Sequence, residues 1–172
     1  MQTPLVMTVI GKDRPGLVES IARAVSDSGG NWLESRMCRL GGDFAGILRV
    51  HIPSDRQAAF ESALDSIRST GLQILFKPDS GEPSASHAQE TSIEIIGQDR
   101  PGIVRQITAA LAGKGVNVED LATELASAPM TGEPLFKARI RMRMPERCNL
   151  GDLKKELGTI ASDLMMDLTF DQ

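Results

Sequence analysis

The sequence has no tyrosine, one tryptophan and five phenylalanines, so aromatics make up only 3% of its 172 residues. Its core must be aliphatic, and it has few rings on which to stack single-stranded nucleic acid. It has only two cysteines, Cys38 and Cys148, far apart and in no C-x-x-C spacing. That argues against a disulfide framework or a cysteine zinc site and fits a reducing compartment. An H-x-x-x-H pair, a clustered carboxylate motif and a P-loop are all missing, so metal-dependent and nucleotide-dependent enzymes have no support. No metal and no cofactor is expected. A long apolar run is missing too. Leu5 to Ile10 is broken by Thr8 and runs into Gly11-Lys12-Asp13-Arg14. It is too short for a signal core or a membrane span, so a cytoplasmic protein without membrane attachment is expected. Nor is there a basic excess: 19 Lys and Arg face 23 Asp and Glu, for a net charge of −4. Tight DNA binding draws on cations that meet phosphates, so no direct DNA binding is expected.

What is present is an ordinary globular composition, 41% hydrophobic and 24% charged, at a length that fits one mid-sized domain or two small ones. A repeat decides between them. Gly11-Lys12-Asp13-Arg14-Pro15-Gly16-Leu17-Val18 recurs as Gly97-Gln98-Asp99-Arg100-Pro101-Gly102-Ile103-Val104. At the same offset Ile21 meets Ile107, Ala24 meets Ala110, Gly29 meets Gly115 and Asn31 meets Asn117. This is a duplicated unit, too long and too few in copies for a solenoid. The Ser-, Pro- and Gly-rich stretch between the copies reads as a linker. The expected organisation is therefore a domain over residues 1–77, a linker over 78–89 and a second domain over 90–172.

Each half repeats one order of elements. Leu5 to Ile10 and Ser92 to Ile96 are short β-branched runs, hence strands. Pro15 and Pro101 suit a first helical turn, and Leu17, Val18, Ile21 and Val25, like Ile103, Val104, Ile107 and Leu111, fall on one helical face. Gly29-Gly30 and Gly113 to Gly115 end those helices. A second strand starts at Asn31 and at Asn117. Gly41-Gly42-Asp43 turns it into a third strand, which puts Cys38 opposite Ala45 and His51 opposite Trp32. The second half carries an insertion at this hairpin, Ser127 to Pro134. Second helices follow Pro53 and Pro145, and Leu72 to Phe76 and Met165 to Phe170 close each half. The fold class is α+β: two ferredoxin-like β-α-β-β-α-β domains, each an antiparallel four-stranded sheet with its helices on one face.

The G-x-D-R-P-G-[LI]-V motif after a first strand, with Asn opening the second, resembles the ACT domain. The stretches Gly30-Asn31-Trp32-Leu33-Glu34-Ser35-Arg36-Met37 and Leu40-Gly41-Gly42-Asp43-Phe44 are similar to the glycine cleavage system transcriptional repressor family. The resemblance covers nearly all of the chain. It implies a small effector, often an amino acid, held where two domains meet. The ligand-binding residues it implies are Asp13, Arg14, Gly16 and Asn31, with Asp99, Arg100, Gly102 and Asn117. Free N–H groups at a helix N-terminus favour a carboxylate, and an Asn amide both donates and accepts. The same residues also have a scaffold reading. Asp13 or Asp99 can cap a helix, Gly16 and Gly102 can permit tight helix–sheet packing, and the asparagines can serve a turn. Both readings stand at this point.

Catalysis finds no footing. His87 lies in the linker, and six residues along a strand separate Cys38 from His51, roughly 20 Å. No nucleophile–base pair results, so no catalytic residue is expected. Lys137, Arg139, Arg141 and Arg143 alternate along one strand face, opposite Ala138, Ile140, Met142 and Met144. They read first as a solvated sheet face, and second as a docking face for acidic protein or phosphate. The function expected is a non-enzymatic regulatory protein that senses an amino acid such as glycine. The repressor resemblance implies that it controls transcription by contact with a DNA-binding transcription activator. The alternative is a stand-alone ACT regulatory module or subunit that modulates an enzyme of amino-acid metabolism. Homo-oligomer formation is left open.

Overall fold

The structure is a computed structural model, and it describes residues 1–81, 89–128 and 132–171. Residues 82–88, which hold most of the expected linker and His87, and Pro129 of the insertion lie outside the described residues. The chain divides into two compact units, Met1–Glu82 and Pro83–Gln172.

The first unit runs β1 (Gln2–Lys12), α1 (Leu17–Asp27), β2 (Asn31–Leu40), β3 (Asp43–Pro53), a 3₁₀ turn (Ser54–Arg56), α2 (Gln57–Arg68) and β4 (Gln73–Pro78). Its sheet has the order β2-β3-β1-β4 with every neighbour antiparallel. The second unit runs β5 (Gln89–Gln98), α3 (Ile103–Gly113), β6 (Asn117–Ser127), β7 (Pro134–Met144), α4 (Leu150–Asp163) and β8 (Met166–Asp171), in the order β6-β7-β5-β8. The duplicated β-α-β-β-α-β reading is thus the fold.

Period-two alternation builds each core. Leu5, Met7 and Val9 of β1 and Leu48, Val50 and Ile52 of β3 are buried against Leu17, Ile21 and Val25 of α1 and Phe60 and Leu64 of α2. Ile93, Ile95, Ile140 and Met142 meet Ile107, Leu111, Leu153 and Leu157 in the second unit. With so few rings, nearly all of the contact is aliphatic. Each such side chain, fully buried, contributes about 1.5–3 kcal/mol.

Chain corners follow local chemistry. Gly41 and Gly42 both have positive φ, 59° and 86°, so the first hairpin closes in the turn whose twist matches its strands. The first helices end alike. Gly30 N–H donates to Val25 O and Gly29 N–H to Ser26 O, both at 2.8 Å. Val116 N–H and Gly115 N–H repeat the pair onto Leu111 O and Ala112 O at 3.0 and 2.9 Å. These are the crossed bonds of a Schellman end.

Two local expectations are corrected. Pro15 and Pro101 precede their helices instead of opening them; α1 starts at Leu17 and α3 at Ile103. Gly16 (φ 87°, ψ 2°) and Gly102 (φ 92°, ψ 0°) are the N-caps. Those angles belong to the third residue of a type II turn whose second residue is proline, so Pro–Gly makes the strand-to-helix corner. His51 pairs with Asn31, not Trp32, because a bulge between Trp32 and Glu34 shifts the register by one. The second unit carries its bulge at the equivalent place, between Val118 and Asp120.

Candidate functional site

The repeated glycines have separate physical causes. A Cβ on Gly11 would stand 2.9 Å from Leu72 Cδ1 and 3.2 Å from Gly71 O. On Gly97 it would stand 2.8 Å from Met166 Cγ and 3.1 Å from Met165 O. These two positions let the turn before the last strand press onto the first. Gly16 is different: nothing lies within 4 Å of where its Cβ would be, and at Gly102 only Gln106 Nε2 comes near, at 3.8 Å. Tight helix–sheet packing therefore does not explain Gly16 or Gly102. Positive φ does, and it leaves open space in front of the helix.

The capping reading of the aspartates also falls away, since neither N-cap has a side-chain capping bond. Asp13 instead takes a hydrogen bond from Arg39 Nε of β2 at 2.6 Å, and its N–H donates to Gly42 O at 3.0 Å. Arg14 Nη2 donates to Thr70 Oγ1 at 2.5 Å, across to the α2–β4 turn. The first loop is thus pinned to the hairpin on one side and to that turn on the other. The second loop is built alike but held more loosely. Asp99 N–H donates to Pro134 O at 3.3 Å, and Arg100 Nη2 reaches Gln98 Oε1 at 3.3 Å and Met165 Sδ at 3.8 Å. Register puts Leu125 where the first unit has Arg39, opposite Phe136 as Arg39 is opposite Phe44. Among the described residues the Asp99 carboxylate has no hydrogen-bonding or ion-pair partner. The helix N-terminal N–H groups behind both loops favour an anion.

Asn31 and Asn117 do not join these loops within their units. Asn31 pairs with His51, which pairs with Pro4, whereas the loop leaves β1 at Lys12. Eight residues of strand place them about 26 Å apart. Asn117 is equally far from its loop, opposite Arg143 and so level with Glu90. Each unit therefore brings Asp, Arg and Gly of the expected set together and leaves Asn at the other end of the sheet. Sequence reasoning missed Arg39, Thr70 and Met165 as the partners of these loops. The Arg39-to-Leu125 difference is visible in the repeat, but its meaning depends on register.

The alternating cations of β7 are not a bare basic face. Arg139 meets Glu94 at 3.0 Å, Arg143 meets Glu119 at 2.5 Å and Glu90 at 3.4 Å, and Lys137 and Arg141 stand 3.7 and 4.0 Å from Glu124 and Glu119. This is a partly exposed sheet face with both signs interleaved. Cys38 pairs with Ala45, six residues from His51 along β3, so the two form no dyad. Among the described residues no cluster of His, Cys, Asp or Glu can hold a metal ion, and no helix is long and apolar enough to cross a membrane.

Residues 3–77 and 92–171 both match the family model of the ACT domain, and the chain belongs to that family. The Escherichia coli K12 protein named glycine cleavage system transcriptional repressor is 24% identical over 161 residues, which span 93% of this chain and 85% of that one. A solved structure of an unknown protein from Galdieria sulphuraria superposes with a TM-score of 0.84 at 32% identity, covering 99% of this chain and 98% of that one. A second, of a protein provisionally described as a glycine cleavage system transcriptional repressor, gives 0.69 at 22% identity and covers 99% and 97%.

Proposed function

We propose that this chain is a non-enzymatic regulator which binds a small amino-acid effector, such as glycine, and controls transcription through contact with a DNA-binding activator. The observation that carries the reading is the twice-built corner at Asp13-Arg14-Pro15-Gly16 and Asp99-Arg100-Pro101-Gly102. In each, a left-handed glycine opens a helix whose first N–H groups have no side-chain cap, with an aspartate three residues before that glycine in the chain. A zwitterion matches that pairing: its carboxylate meets the N–H groups and its ammonium meets the aspartate. Asn31 and Asn117 do not reach the same molecule within one unit, so the loop residues carry the proposal. The E. coli relative's name supports the transcriptional part, and the acidic balance supports action through a protein and not through DNA. The effector need only bind one conformation of the chain better than another.

A thermal-shift screen with all common amino acids tests the reading. One amino acid, or a small related group, raises Tm saturably, by the equivalent of about 2.7 kcal/mol at a hundredfold excess over Kd. A gel shift with the chain alone retains no operator DNA. A flat screen, or sequence-selective DNA retention by the chain alone, overturns the proposal.

A further inference from the structure

The turn that leads into the last strand is built differently in the two units. Strand register aligns Gln73 with Asp167, because they pair with the repeat-mates Ile10 and Ile96. Gly71 therefore matches Met165, and Thr70 matches Leu164. Gly71 turns this corner at φ 95°, whereas Met165 turns it at φ 55° and is the one non-glycine residue with positive φ among the described residues. A side chain kept where the fold accepts glycine carries strain, and such strain clusters at functional positions. Met165 is also 64% exposed, while Met7, Met142, Met144 and Met166 are all buried. Its sulfur stands 3.8 Å from Arg100 Nη2. In the first unit the corresponding arginine, Arg14, donates to the hydroxyl of Thr70. Leu164 offers no such acceptor, and a thioether is a weak one. The second loop thus lacks the oxygen that anchors the first.

We propose that Met165 is an oxidation site, and that its sulfoxide oxygen supplies the missing anchor to Arg100. The oxidant is a peroxide. The sulfur lone pair takes one oxygen from hydrogen peroxide: an S–O bond forms, the O–O bond breaks, and the other oxygen leaves as water. Sulfur loses two electrons and the peroxide gains them, and sulfoxide reductases reverse the change. The geometry suits the product. An oxygen about 1.5 Å from sulfur, with an angle of about 120° at that oxygen, stands about 2.8 Å from Nη2 while sulfur and nitrogen keep their present separation, a charge-assisted hydrogen-bond distance. Arg100 otherwise reaches only Gln98 Oε1 of its own loop, at 3.3 Å. Oxidation therefore ties the second loop to the α4–β8 turn, as Arg14 and Thr70 tie the first loop to the α2–β4 turn in the reduced chain. The anchor needs no effector, so it is independent of the function proposed above.

Hydrogen peroxide added to the full chain tests it. Tandem mass spectrometry of the C-terminal tryptic peptide finds the oxygen on Met165 well before the buried Met166 beside it, at a rate close to that of the exposed Met1. Amide hydrogen exchange over residues 97–106 then slows about two- to tenfold, the range for one net hydrogen bond. The paired methionine sulfoxide reductases, one for each sulfur epimer, restore the parent rate. Met165→Gln, whose amide oxygen accepts as a sulfoxide does, slows exchange without peroxide. Met165→Leu keeps the reduced chain's rate in peroxide, and in Arg100→Ala the oxidation of Met165 leaves exchange unchanged. Oxidation no faster at Met165 than at Met166 overturns the modification site. Exchange that oxidation does not slow, or a slowing that Met165→Leu or Arg100→Ala retains, overturns the anchor.

Discussion

Gly16 separates two explanations of a repeated glycine by rank order. Its φ of 87° lies in the left-handed region, and no atom stands within 4 Å of a Cβ built there. An L side chain at such a position costs about 1–2 kcal/mol of backbone strain, and the empty surroundings add no clash. Asparagine tolerates this region better than alanine, and β-branched valine tolerates it worst. Strain therefore predicts the stability order Gly, Asn, Ala, Val. Gly16→Ala should lose about 1–2 kcal/mol, Gly16→Asn about half of that, and Gly16→Val about 2–3 kcal/mol. Were the glycine kept for close packing, volume would set the order and alanine would beat asparagine. Urea unfolding followed by tryptophan emission reads this cleanly. Trp32 is the chain's only tryptophan and packs against the first unit's core, so it reports that unit alone. For a unit of this size about 1 kcal/mol moves Tm by about 4–8 °C, well above measurement error. If Gly16→Ala proves as stable as the parent, or more stable than Gly16→Asn, the strain explanation is wrong.

Two further outcomes follow from charge. The Asp79 carboxylate accepts the Gly81 N–H at 3.0 Å and Arg49 Nη2 at 2.6 Å, which hold its pKa below the usual carboxylate value. A depressed acid stabilises the fold above its unfolded pKa and loses that contribution as pH falls through the folded value. Tryptophan-monitored stability of the first unit should therefore drop below about pH 4, and Asp79→Asn should flatten that drop. In the second unit, Glu119 and Arg143 are only 19% and 24% exposed, so Glu119→Ala should cost about 1–3 kcal/mol, whereas Glu124→Ala, facing Lys137 at 3.7 Å, should cost less than about 0.5 kcal/mol. Thermal circular dichroism of the second unit reads both, with Trp32 emission unchanged. Equal losses would mean that burial does not grade these pairs.

The frame is legible in the sequence because it rests on backbone demands. Alternation of Leu5, Met7 and Val9, the helical faces, the paired glycines at the first hairpin and the crossed bonds at the helix ends are local and leave local signals. What the residues do not announce depends on neighbours that only register supplies. The bulge after Trp32 displaces His51 by one residue, and no residue type signals it. The ring of Pro15 suits a first helical turn as well as a corner, and only the φ of Gly16 shows that proline and glycine together form the corner before the helix. The basic stripe of β7 is visible as a stripe, but its neutralisation by Glu90, Glu94, Glu119 and Glu124 comes from β5 and β6 alongside it. The candidate loops are legible as motifs. That Asn31 and Asn117 stand at the far end of the sheet follows from strand direction, which a motif does not carry.

Duplication kept the backbone-demanding residues and released the side chains that face outward. The loops show what that does to a charge. In the first unit Arg39 sits on Asp13, and in the second Leu125 occupies the equivalent place and the Asp99 carboxylate has no partner among the described residues. On the proposed reading, an ammonium can take Asp99 directly but must displace Arg39 to take Asp13. An exposed pair of this kind is worth about 0.2–1 kcal/mol, so the first loop should bind the effector about 1.5- to 5-fold more weakly on this account alone. Arg39→Leu copies the second unit's residue into the first. It should strengthen the first loop by that factor, seen in titration calorimetry as a tighter first site with the second loop unchanged. Should Arg39→Leu weaken or abolish binding at the first loop, Arg39 itself holds the effector, and the assignment of the ammonium to the aspartate is wrong.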